Sequence, residues 1–170
     1  MGLRRKGREY ALQMLFAMDI TGYMPDQIFA GYHAIQDLSQ DAFLQAQRLV
    51  EGVHERMEDI DLLLSGYAKN WKIPRMAVVD RNLLRLSIFE LKYLPDIHHT
   101  AILKEALEIC VDFSEDESYQ FIKGILDTAS RELRPNENAK RLPKTNPVNT
   151  PEEETESEPE PKPDTEQRST

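Results

Sequence analysis

From residue 3 to residue 134 the apolar side chains recur every three or four positions, and no convincing run alternates apolar and polar residues. The first spacing lines one face of an α-helix, whereas strict alternation would line one face of a strand. A chain showing only the first must build its core by packing helices on helices. The predicted fold class is therefore all-α, with six or seven helices.

The pattern can be followed along the chain. A first helix is expected over about 4–20, with Leu3, Tyr10, Ala11, Met14 and Met18 on one side, and Gly22 and Pro25 end it. A second covers about 26–35. A third starts near Ser39 or Asp41 and uses Phe43, Ala46, Leu49, Val50, Val53 and Met57, then continues or bends into 59–67. Asn70-Trp71-Lys72-Ile73-Pro74 breaks the pattern, and Pro74 suits the first turn of the next helix. Pro74 is also the natural seam between two halves. The next helix, about 75–93, carries Val78, Leu83, Leu84, Leu86, Ile88, Phe89 and Leu91 around most of its circumference, which marks it as the buried centre. A helix over about 100–112 follows. Ser114-Glu115-Asp116-Glu117 then fits a capping box opening a last helix that runs to about residue 132.

Composition changes abruptly after Arg134. Residues 135–170 hold seven of the ten prolines, no aromatic residue and an acid-rich run over 152–160. Such a segment cannot bury enough apolar surface to offset its ordering entropy. The expected organisation is a helical domain at 1–134 and a disordered Pro/Glu-rich acidic tail at 135–170. Of 21 basic and 30 acidic residues, five and nine fall in the tail, which leaves 16 and 21 on the domain. The domain is only mildly acidic, so a positive patch on it can dominate locally.

Such a patch stands at the start. Among the first eight residues, Arg4, Arg5, Lys6 and Arg8 are basic and none is acidic, in a chain of net charge −9. Cations at the first turn oppose the helix macrodipole, at roughly 0.3–1 kcal/mol each when exposed. Helix stability does not explain them. A phosphate ligand does, and the competing explanations are plain solvation and an anionic lipid surface. Glu9, Gln13 and Asp19 interrupt what a signal peptide would keep apolar. No stretch approaches the ~20 apolar residues needed to span a bilayer, so a soluble cytoplasmic protein without a membrane contact is expected.

Catalysis finds little support. Phosphate-loop, dinucleotide and metalloprotease motifs are absent. No catalytic residue, cofactor or metal is expected. Lone Cys110, within Ile109-Cys110-Val111, reads as a buried inert thiol, and adjacent His98 and His99 read as surface polar residues. Arg81 and Arg85 share one face of the central helix. They either pair with a neighbouring acid or extend the N-terminal patch. Tyr119 and Phe121 follow the acidic turn, where an exposed aromatic beside cations would suit base stacking.

Five segments together resemble the bacterial transcription antitermination factor NusB family. They are Arg4-Arg5-Lys6-Gly7-Arg8-Glu9 with Ala11, Leu15 and Phe16; Asn70-Trp71; the run from Asp80 to Leu91; the run from Ala101 to Ile109; and the run from Ser118 to Asp127. The resemblance implies two three-helix-like halves and RNA binding rather than catalysis. It further implies that the protein binds boxA-like single-stranded RNA together with NusE, a ribosomal protein, within an RNA polymerase antitermination complex that reads through terminators. By matched position it assigns RNA contacts to Arg4, Arg5, Lys6, Arg8, Arg85, Glu117 and Phe121, and NusE contacts to Phe16 and Asp80. The alternative is a helical protein–protein adaptor or homodimeric module without RNA specificity.

Overall fold

The structure is a computed structural model that describes residues 2–34 and 39–139. It is all-helical, and its order is α1 (Leu3–Thr21), α2 (Pro25–His33), α3 (Gln40–Glu55), α4 (Met57–Tyr67), a 3-10 turn (Ile73–Arg75), α5 (Val78–Tyr93), α6 (His99–Phe113), α7 (Ser118–Leu133) and the short α8 (Pro135–Ala139). Gly22 closes α1 in the left-handed conformation at φ 71°, its N–H bonding to the Met18 carbonyl at 2.8 Å. That backbone shape costs an L side chain energy and glycine nothing.

Helix α5 is the centre, as its all-round apolar pattern requires. It packs against α1, α3, α4, α6 and α7. Leu83, Leu84, Leu86, Ile88 and Leu91 are buried on different sides of it, each worth roughly 1.5–3 kcal/mol of transfer free energy. Gly52 on α3 sets how closely α5 approaches, because a Cβ there would meet the Phe89 ring at 2.2 Å. One half gathers α1, α2 and α3, and the other gathers α4, α6 and α7 around α5.

The seam lies at Arg56 rather than Pro74. Arg56 ends α3 and begins α4 with φ −115° and ψ 19°, so the long third helix bends there, and α4 then packs with α5 and α7. Pro74 sits in the 3-10 turn, and α5 starts only at Val78. The delay has a cause: Met76 is extended (ψ 147°) and buried. Driving its side chain into the core takes the backbone off the helical path.

The capping box does not form. Helix α7 begins at Ser118 with Glu117 as its cap residue and no side-chain capping bond. Ser114 instead follows the end of α6, its N–H bonding to the Cys110 carbonyl at 2.9 Å. Nor does the composition break at Pro135 end the described chain, which continues as α8. Glu137 there accepts from the Arg134 guanidinium at 2.6 Å and from the His99 N–H at 3.0 Å. The rest of the expected tail, residues 140–170, lies outside the described residues, as does residue 35 at the expected end of the second helix.

Candidate nucleic-acid interface

The four N-terminal cations share one helix but not one environment. Arg4 is exposed, and no ion pair involves it among the described residues. Lys6 is half-buried, with Nζ 5.7 Å from the centre of the Tyr10 ring. Arg5 bends back over α6. Its guanidinium lies 2.7 Å from Glu9, 3.0 Å from Glu108, 2.7 Å from Asp112 and 3.7 Å from Glu105. Burial lowers its pKa, but the hydrogen bond to Glu9 and the surrounding acids outweigh that and raise it.

Arg8 is not a surface cation, which corrects its assignment as an RNA contact. It is 3% exposed and forks onto Glu90 of α5, with Nε 3.0 and 2.9 Å from the two carboxylate oxygens and Nη2 2.8 Å from one of them. Burial pushes the Glu90 carboxyl up, while the hydrogen bonds and charge of Arg8 act against that rise. The pair joins α1 to α5 inside the protein.

Arg85 is likewise engaged. It binds Asp61 of α4 through two contacts of 2.8 Å and reaches Asp19 of α1 at 3.3 Å. Arg81 takes the same Asp19 oxygen at 2.6 Å. Burial would raise the Asp19 pKa, but hydrogen bonds from Arg81 and Asn82 and the charges of both arginines hold it below the ordinary value. Arg85 therefore pairs with neighbouring acids and stitches α1, α4 and α5 together instead of extending the N-terminal patch. Beside this network opens a cavity of about 650 Å³, with Lys72, Pro74 and Ser65 among its walls.

The two residues matched to the NusE contact also separate. Phe16 is 38% exposed and lines an apolar groove of about 320 Å³ with Leu12, Tyr32, Val79 and Phe113. Asp80 is 5% exposed and accepts from Ser118 Oγ at 2.6 Å, tying α5 to the start of α7. It is not a surface ion-pair acceptor, because packing has taken its side chain inside. Glu117 is exposed at the same corner. Phe121 is half-buried one turn into α7, and its ring lies 5.1 Å from that of Trp71, tilted by 57°.

Trp71 is what sequence reasoning passed over. Its indole is 57% exposed, on a segment whose Lys69, Lys72 and Arg75 are all exposed. The available signal was three cations and no acid within Lys69-Asn70-Trp71-Lys72-Ile73-Pro74-Arg75. Arg5 and Phe121 are not brought together by any contact among the described residues; the first lies against α6 and the second against the Trp71 segment.

Other chemistry is sparse. Cys110 is buried and its thiol pKa is raised by that burial. His98 caps α6, its Nδ1 accepting from Thr100 N–H. His99, expected at the surface, is buried with Nδ1 2.7 Å from Ser130 Oγ. His98, His99 and Glu137 bring candidate ligand atoms within 4.8 Å of one another, yet Glu137 is already engaged by Arg134. Among the described residues no helix is long and apolar enough to cross a membrane.

With this geometry in place, comparison with known proteins is specific. A family model described as the NusB family matches residues 5–131. The chain is 40% identical over 131 residues to the transcription antitermination protein NusB of Myxococcus xanthus, covering 75% of this chain and 94% of the relative. Among solved structures it is similar to T. maritima NusB, with a TM-score of 0.71 and 32% identity over 81% of this chain and 96% of the other. It also shares its fold with a chain from a crystal structure of antitermination factors NusB and NusE in complex with dsRNA, at TM-score 0.68 and 24% identity, over 78% of this chain and 98% of that one.

Proposed function

The chain belongs to the NusB family, and from that premise we propose that it is an RNA-binding transcription antitermination factor. It binds boxA-type single-stranded nascent RNA together with NusE, so that RNA polymerase reads through terminators, and it acts in the cytoplasm without catalysing a reaction. The observation that carries this reading is the match to relatives named as antitermination proteins along nearly their whole length. The site chemistry supports it. Arg4 and Lys6 are phosphate contacts, and Arg5 becomes one when RNA phosphate replaces Glu108 and Asp112. Phe121 meets a base, with the Glu117 carboxylate beside it as a hydrogen-bond acceptor for a base edge. Phe16 is the apolar anchor for NusE. Arg8, Arg85 and Asp80 hold these surfaces in place from within.

So few open cations make a weak, salt-sensitive site. A second basic protein would lengthen the positive track and steer association. The test is co-purification with NusE, followed by titration of a boxA-like RNA at two salt concentrations with and without it. The expected result is a 1:1 complex that binds RNA more tightly than this chain does alone. No association at micromolar concentration, together with equal RNA affinity in both titrations, would reject the partnership. No RNA retention in either titration would leave the adaptor reading in its place.

A further inference from the structure

We infer that the segment from Lys69 to Arg75 is a second RNA contact, in which Trp71 stacks on an unpaired base and Lys72 and Arg75 pair with flanking phosphates. The inference rests on the RNA-binding reading above and adds a site to it. The segment has three cations and no acid in a chain whose net charge is −9. Lys69, Lys72 and Arg75 are exposed, and none forms an ion pair among the described residues. That separates them from Arg5, Arg8, Arg81 and Arg85, each held by a carboxylate.

Trp71 is more than half exposed although it lies beside the protein, against Phe121. An indole kept in water forgoes most of the transfer free energy that burial would return. A flat apolar surface ringed by cations complements the face of a base and its charged backbone, and it tolerates any base because every base has a π-face. In the cavity alongside, Asp19 and Asp61 already engage Arg81 and Arg85, so the phosphate contacts fall to Lys72 and Arg75.

The segment is also built rather than loose. Trp71 N–H bonds to the Ala68 carbonyl at 2.8 Å, Arg75 N–H to that of Lys72 at 2.8 Å, and Met76 N–H to that of Ile73 at 3.1 Å. Pro74 fixes one more backbone angle, and Met76 anchors the end in the core. Stacking on Trp71 therefore orders little that is not already ordered, which keeps the entropic cost of binding low. An apolar protein partner would leave the three cations unmatched, so the charge favours RNA.

Trp71 is the only tryptophan of the chain, so its emission reports on this site alone. The experiment titrates the full chain with a single-stranded boxA-like RNA oligonucleotide and follows tryptophan emission alongside the anisotropy of labelled RNA. Quenching that saturates on the anisotropy isotherm is expected. Trp71→Ala should weaken binding about 5- to 150-fold, the range of one base–aromatic stack, and Trp71→Phe should retain most of the affinity. Should Trp71→Ala lower the melting temperature, Lys72→Ala with Arg75→Ala takes its place. The log K against log salt slope should then flatten by about 0.7 per lost contact. Normal RNA binding by anisotropy with unchanged emission, or an unchanged affinity in these variants, overturns the inference and leaves the RNA-binding reading intact. Emission that answers to NusE but not to RNA overturns it in favour of a protein contact. No RNA binding by either readout removes the functional reading and this site with it.

Discussion

The start of α1 and the Lys69–Arg75 segment each display a run of cations, and the two use them in opposite ways. At the start of α1 the charges become more buried along the helix: Arg4 lies in solvent, Arg5 among four carboxylates, and Arg8 in the core against Glu90. In the Lys69–Arg75 segment all three cations remain exposed. A run of like charges is therefore two kinds of object. One is an internal fastener whose outer end alone is open to a ligand; the other is a surface. Geometry, not the count of charges, tells which.

The largest effect that could break this contrast is on stability. Arg8→Ala leaves Glu90 buried without its partner, which should cost about 3–5 kcal/mol, whereas Arg4→Ala should stay within about 0.5 kcal/mol. Urea unfolding of both variants checks this. If Arg8→Ala unfolded like the native protein and lost RNA binding instead, Arg8 would belong to the surface after all.

A second measurement concerns RNA. Replacing Arg4 and Lys6 together with Ala should lower affinity and flatten the salt slope by about 1.4, or about 0.7 for each phosphate contact. The melting temperature should barely move. A slope that did not change would mean that the open end of α1 is not a contact.

The smallest effect is the most discriminating, because its sign is reversed. Glu108→Gln with Asp112→Asn removes acids that hold Arg5. Exposed pairs of this kind are worth about 0.2–1 kcal/mol, so RNA affinity should rise, by at most about fivefold for each pair released. Affinity that fell or stayed level would mean that Arg5 remains on α6 when RNA is bound.

How much of this was legible in the sequence varied with the physics involved. Helix extents and the centrality of α5 follow from periodicity, because burial of one face acts at every turn. The burial of Arg8 was within reach as well. It stands four residues before Leu12 and seven before Leu15, which are both core residues of α1, so the apolar stripe passes through it. Glu90 likewise interrupts the buried run of Ile88, Phe89 and Leu91. The pairing of Asp80 with Ser118, or of Arg85 with Asp61, was out of reach, because each joins residues 38 and 24 positions apart, and no local spacing encodes which acid meets which arginine. Met76 shows the same limit for the backbone. Helical propensity favours starting α5 at Arg75, and a core position that only an extended residue can fill decides otherwise.

Arg134 connects the end of the domain to its centre, and the consequence is kinetic. Its guanidinium reaches the carbonyls of Leu91, Leu94 and Pro95 at 2.6, 2.9 and 3.3 Å; the first belongs to the last turn of α5 and has no helical partner, because Pro95 four residues on lacks an N–H. These bonds close loops of about forty residues, 43 in the case of Leu91, and the entropy of closure must be spent before the contact returns anything. Arg134→Ala is therefore expected to speed unfolding more than it slows folding, which the two arms of a urea chevron check. The residue that closes α7 would then set how long the central helix, once buried, stays buried.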